Sequence, residues 1–233
     1  MPAPLKITPS MLTFLWDDCR RCFWLHAHGL HQPRMPFPSV FSRYHDALTR
    51  YGLGRCPSVL SPSLPPGRFV GGELWVKSRP LTIGSERGAL FILGRLDHLA
   101  HFDDGTWGVI DFKTTAPSDT SAARYTRQLH AYAWALERAA PDALCRAPVT
   151  RLGLYCLDPV DVTLTDDGHV AARLQASWID IERDDDGFAD FLAEVLAVLR
   201  RPLPPPAAPG CSCCRYTERR RAMARAAASV HVN

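Results

Sequence analysis

A membrane span needs about 18 consecutive apolar residues, and no stretch of this chain approaches that. A secretion leader is also wanting: MPAPLKITPSMLTFLWDDC has no basic opening, and its short apolar stretch runs into an acidic pair. A cytoplasmic, reducing setting is therefore expected. Nor is there much excess charge. The 27 Lys and Arg stand against 24 Asp and Glu, and the resulting +3 is too small for bulk charge to imply a nucleic-acid partner. Internal repeats and long low-complexity segments are missing too. At 46% hydrophobic and 22% charged, the chain is too apolar to be disordered. Its 233 residues suit one good-sized domain, or one domain with an appendage.

Cysteine, by contrast, is plentiful, with eight in all. Without a secretion signal these are expected to be reduced thiols or metal ligands, not a disulfide framework. Cys19 and Cys22 lie near one end, and Cys211, Cys213 and Cys214 near the other. Cys56, Cys145 and Cys156 stand singly and read as small core residues. Cys19-x-x-Cys22 with Cys211-x-x-Cys214 makes a two-plus-two set open to Zn²⁺ or to a four-iron cluster. The bland alternative is a tail of unliganded thiols.

Thr8-Pro9 reads as an N-cap followed by proline at the first helical position. Leu12, Leu15, Trp16, Cys19 and Phe23 then recur at helical spacing, which puts Cys19 on a buried stripe. After a proline-broken stretch, residues 41–51 suit a short helix, and 69–76 a weak strand with a bulge at Gly71-Gly72. Residues 90–102 and 107–115 form a hairpin about Asp103-Asp104-Gly105. A helix over 121–139 follows, then strands at 149–157 and 174–181. Phe188, Phe191, Leu192, Val195, Leu196 and Leu199 mark an amphipathic helix opened by the acidic run at 184–186. RPLPPPAAPG is a stiff connector to the last cysteines and a basic tail. Five arginines of that tail (215, 219, 220, 221 and 225) either neutralise phosphates or form a solvated face. The order predicts an α/β fold, a single mixed sheet flanked by helices.

Side chains alternate along a strand, so Asp111 and Lys113 of VIDFKTT share a face, as do Arg95 and Asp97 of GRLDHL. A three-residue loop at 103–105 sets Asp97 opposite Asp111, whereas a two-residue loop would turn them to opposite faces. Directly opposed residues have Cβ atoms about 4.5–5.5 Å apart, which suits two carboxylates sharing a divalent ion. Unshared, the charges repel and one acid takes up a proton. Mg²⁺ removes that conflict and prefers oxygen ligands with retained waters. Lys113 beside it can steady an attacking water or the charge growing on a phosphoryl group. Along the next helix Arg124, Gln128 and Tyr132 form a polar stripe, expected to face the acids. The competing reading is an exposed hairpin with ordinary surface salt bridges.

GRLDHL, VIDFKTT and QLHAY, in that order, resemble the G-x-x-D, D-x-K and Q-x-x-x-Y motifs of the PD-(D/E)xK nuclease superfamily, in particular its RecB-type branch. SMLTFLWDDCRRCFWL is similar to that branch's S-x-L-x-x-F…C-P-x-x-F-x-L segment, with Arg20 in place of the proline. The resemblance implies a restriction-endonuclease-like core over 1–200, and a connector, cysteine cluster and basic tail over 201–233 that packs back on the N-terminal helix. It also implies Mg²⁺- or Mn²⁺-dependent cleavage of phosphodiester bonds in DNA, single- or double-stranded, of an exonucleolytic kind used in recombination, repair or defence. Asp97 and Asp111 would ligate the ion, helped by the backbone carbonyl of Phe112, and Lys113 would assist the attacking water. Gln128 and Tyr132 would support the site and the strand, and His45 of YHDALTRY is the candidate further ligand. Some members hold an iron–sulfur cluster on one N-terminal and three C-terminal cysteines, here Cys19 with Cys211, Cys213 and Cys214. The family's C-terminal spacing is broken, because Arg220 stands near where the last cysteine falls. Two other readings are a non-catalytic nucleic-acid-binding module of the same fold, and a structural protein built round a cysteine-bound metal.

Overall fold

The computed structural model describes residues 3–32, 39–83 and 86–230. Its sheet has seven strands: β1 (Leu5–Ile7), β2 (Gly67–Lys77), β3 (Leu81–Ile83), β4 (Glu86–Phe102), β5 (Trp107–Lys113), β6 (Val149–Leu164) and β7 (Val170–Ile181). The main path runs β1-β4-β5-β6-β7, with β2 and β3 also paired to β4. The β1–β4 and β5–β6 pairs are parallel and the others antiparallel. The helices are α1 (Trp16–Asp18), α2 (Arg20–Ala27), α3 (Ser39–Gly52), α4 (Asp119–Glu137), α5 (Asp185–Leu199) and α6 (Ser212–Val230). The mixed, helix-flanked sheet is thus the architecture that the element order predicts.

Each face of the sheet buries its own layer. Leu99, Val109, Leu152 and Leu154 face one way, in one core with Leu129 and Leu136 of α4 and Phe188, Leu192 and Val195 of α5. Ala100, Phe102, Ile110, Phe112, Tyr155 and Leu157 face the other way, with Leu48 of α3. That alternation is the period-two pattern of strands buried on both sides. The capping of α5 follows from its acidic opening: the Asp184 side chain accepts from the Gly187 N–H at 2.8 Å.

Several expectations need correction. The N-terminal helix is not continuous. It opens with a π-helical turn (Met11–Leu15), and Cys19 breaks it with an extended backbone and N-caps α2. The buried stripe survives nonetheless, because Leu12, Trp16, Cys19 and Phe23 all remain in the interior. The β6–β7 hairpin runs well past 157, through a bulge after Pro159, to a turn at Gly168. Its outer half is exposed on both faces, so no alternation betrays it. The strands β1 and β3 are too short, at three residues each, to leave a periodic signal. The basic tail is a helix, α6. Cys145 is exposed and Cys56 only half-buried, so of the single cysteines Cys156 alone is a core residue. The proline-broken stretch at 33–38 lies outside the described residues. Among the described residues no helix is long and apolar enough to cross a membrane.

Candidate active site and cysteine centre

The turn between β4 and β5 decides whether two acids meet. Phe102 N–H donates to the Thr106 carbonyl at 2.9 Å, closing a loop of three residues. Gly105 takes φ +84°, the left-handed position that glycine fills at no steric cost. Asp104 accepts from the Thr106 N–H at 2.9 Å. The ladder that follows pairs His101 with Trp107 and His98 with Ile110. The ladder ends there, and one residue further on the Asp97 and Asp111 side chains come within hydrogen-bonding reach of each other, both close enough to act on Tyr132 of α4.

Asp111 is 1% exposed, and its carboxylate is compensated by side chains of the site itself, Lys113 and Asp97. The Lys113 ammonium sits 2.5 Å from Oδ2 and 4.4 Å above the Tyr125 ring. Burial first, then the charge of Asp111 and a hydrogen bond shared with it, push the Asp97 carboxyl up to about 9, against the opposing pull of Lys113 and the Phe112 N–H. Burial works to lower the Lys113 pKa, but the two aspartates outweigh it and hold it above the ordinary lysine value. Asp97 is thus the acid whose charge this site disfavours, with an ammonium beside the pair.

Gln128 and Tyr132 lie four apart on α4 and are both buried. Gln128 Nε2 donates to Tyr132 Oη at 3.3 Å, and Tyr132 Oη donates to the Arg95 carbonyl at 2.7 Å. This leaves Gln128 Oε1 as a buried acceptor without a partner. Gly94 explains the glycine of GRLDHL. A Cβ there would stand 2.7 Å from Pro9 and 3.0 Å from the Tyr132 ring, so only glycine lets α4 and the N-terminal segment approach β4 this closely.

The other sequence-derived residues fall as follows. Phe112 turns its ring to the opposite face, stacked on His98 at 3.9 Å, so only its backbone borders the acids. Arg124 does not face the acids as the stripe suggests; it reaches Asp18 at 3.7 Å and covers the Phe14 ring. His45 is directed at Glu73, Nε2 to Oε1 3.2 Å. Glu73 also lies 3.2 Å from Arg95. It sits between Gly72, paired with His98, and Leu74, paired with Leu96, so its register position adjoins Asp97. Its φ of +54° is uncommon outside glycine and occurs beside the β2 bulge. The sequence offers no signal for Glu73 beyond the neighbouring Gly71-Gly72. His98 is buried with both ring nitrogens unpaired, and burial together with the proximity of His45 pulls its pKa down to about 4.

A metal of the kind the family implies can be tested against these atoms. Asp111 offers buried carboxylate oxygens and Gln128 Oε1 a buried acceptor lacking a donor, and burial beside Asp111 disfavours the charge on Asp97 in a way that a cation would relieve. Hard oxygen donors of this type fit Mg²⁺ or Mn²⁺.

The second centre joins the two ends of the chain. Cys19 N-caps α2 and Cys22 lies three residues on; Cys211 precedes α6 and Cys214 lies three residues on. The Phe23 N–H donates to the Cys19 carbonyl and the Arg215 N–H to the Cys211 carbonyl, each at 3.0 Å, the first bonds of their helices. All four sulfurs lie within 4.8 Å of one another. Among the described residues this is the one group of three or more His, Cys, Asp or Glu side chains set close enough to hold an ion. Burial would raise Cys19, but N–H donors from Ala208 and Cys22 and the sulfur of Cys211 bring it down to about 7. Burial and the adjoining thiols push Cys22 far up, and burial pushes Cys214 up to about 11. Cys213 stays outside the group, half-buried.

The profile of the PD-(D/E)XK nuclease superfamily matches residues 32–219, most of the chain. The chain belongs to that superfamily. The match spans the acid pair, Lys113, the α4 residues and the C-terminal cysteines. A solved structure described as "Crystal structure of SSO0001" is similar over 88% of this chain and 81% of that one, at 18% identity and a TM-score of 0.45. The comparison with curated proteins returns no match.

Proposed function

We propose that this superfamily member is a divalent-cation-dependent nuclease that hydrolyses phosphodiester bonds in DNA. The observation that carries the reading is the buried Asp97–Asp111 pair with an ammonium 2.5 Å from Asp111. Asp97, Asp111 and the Phe112 carbonyl would hold Mg²⁺ or Mn²⁺, which supplies Lewis-acid activation of the scissile phosphate and of water. Lys113, held charged by the two acids, orients the attacking water and offsets the charge that grows on the phosphoryl oxygens. Gln128 and Tyr132 are positioning residues: their hydrogen bonds tie α4 to the backbone of β4 next to Asp97. The four thiols at the chain ends would hold a structural metal, zinc or an iron–sulfur cluster, that fixes the N-terminal helices against α6.

Incubation with linear and circular, single- and double-stranded DNA in Mg²⁺ or Mn²⁺ tests the reading. Metal-dependent cleavage is the expected outcome, and loss of linear molecules alone would identify an exonuclease. Intact DNA in every mixture would sink the proposal. A second reading, a non-catalytic DNA-binding module, draws on the engagement of His45 by Glu73 at 3.2 Å instead of by the acid pair. It requires DNA binding without cleavage.

A further inference from the structure

The cysteine centre has dimensions that distinguish one ion from a cluster. In a tetrahedral site with zinc–sulfur bonds of about 2.3 Å, neighbouring sulfurs stand about 3.8 Å apart. The separations here are 3.6 Å for Cys22–Cys214, 3.7 Å for Cys22–Cys211 and 3.9 Å for Cys19–Cys214. In a four-iron cluster each thiolate binds a different iron and points away from the other three, so its sulfurs spread well beyond that edge. The cage in this protein is too tight for such a cluster. It is also too open for disulfides, whose sulfurs bond at about 2.05 Å.

The surroundings agree with a single ion. Each Cys-x-x-Cys pair straddles the start of a helix, so the partial positive charge of two helix N-termini converges on the sulfurs. Four thiolates around one dication carry a net charge of −2, which that convergence offsets. The Ala208 N–H donates to Cys19 Sγ at 3.4 Å, an outer-shell bond that orients a ligand sulfur. Cys22 supplies the fourth corner, and Cys213, which a one-plus-three arrangement would need, is left out.

We propose that Cys19, Cys22, Cys211 and Cys214 bind one tetrahedral Zn²⁺ in place of the iron–sulfur cluster expected from the resemblance. Binding would release the thiol protons to water and form four zinc–sulfur bonds, with no electron transfer. The centre is then a redox-inert staple. This assignment stands apart from the nuclease reading and does not need DNA to be cut.

Elemental analysis of the purified full chain tests it, with about one zinc per chain and negligible iron expected. Exchange with Co²⁺ should give the intense visible bands of a tetrahedral tetrathiolate, a readout that needs no substitution. Cys22→Ser and Cys214→Ser should each lower zinc below ~0.2 per chain, while Cys213→Ser leaves it unchanged. Iron and acid-labile sulfide at about four each per chain, with a brown chromophore, would overturn the proposal. So would octahedral cobalt bands, or a Cys213→Ser protein that loses metal as readily as Cys22→Ser.

Discussion

Asp111 is a buried carboxylate whose nearest compensation is an ammonium two residues along its own strand. Removing that ammonium leaves the acid pair without a cation and the phosphate without a donor. Lys113→Ala is therefore expected to lower cleavage at least ~100-fold while DNA affinity stays near that of the parent, measured by gel cleavage alongside fluorescence anisotropy. Gly94 offers a purely steric test. A methyl at 2.7 Å from Pro9 must push back either the N-terminal segment or Tyr132, so Gly94→Ala should cost about 1–3 kcal/mol, read as a lower melting temperature. At this scale period two and a three-residue turn were enough to bring Asp97, Asp111 and Lys113 to one face. Glu73 stayed illegible because its left-handed backbone and the neighbouring bulge depart from the alternation by which strand residues are read.

Between elements, one ionic knot ties α4, β6 and α5. Arg183 donates to both oxygens of Glu137 and of Asp185, and Glu137 accepts from the Val149 N–H at 2.8 Å. Burial works to raise Glu137, but Arg183 and the Val149 N–H outweigh it and hold it below the ordinary carboxylate value. Asp185 is lowered by its bonds to Arg183. The stability these groups contribute is present above the unfolded carboxylate pKa of about 4 and is lost as pH falls through the lowered folded values. Melting temperature should therefore drop steeply below about pH 4, and Glu137→Gln should flatten that drop. The helix α6 raises a different matter. It carries five arginines and one glutamate, a net +4 that exceeds the +3 of the whole chain and leaves −1 for all other residues. Glu218 is engaged by Arg21 at 3.4 Å, while Arg220 and Arg221 line the cleft between α2 and α6. Replacing both by glutamine should reduce the slope of log affinity for single-stranded DNA against log salt by about 1.4, with melting unchanged. A slope equal to the parent's would make these arginines mere solvated surface.

Across the whole molecule, the cysteine centre closes a loop of nearly the entire chain, since Cys22 and Cys214 are 192 residues apart. A cross-link over that span constrains the unfolded state by about 5 kcal/mol in the chain-entropy account. Stripping the metal with a chelator should lower the melting temperature and open the proline-rich connector at 202–209 to limited proteolysis. The N-terminal helices should loosen with it, because Leu15 packs against both the main core and the cysteine group. A stripped protein with the parent's melting point and cleavage pattern would deny the centre any structural role.

Local regularities in the chain were sufficient for the sheet-and-helix composition, the β4–β5 register and the candidate acids, because alternation, helical spacing and turn chemistry act over a few neighbouring residues. Folding in three dimensions was needed to select four of five terminal cysteines, turn Arg124 towards Asp18, and set Glu73 between His45 and Arg95. Those choices join residues far apart in sequence, and they depend on how closely packed elements approach, which no short-range pattern encodes.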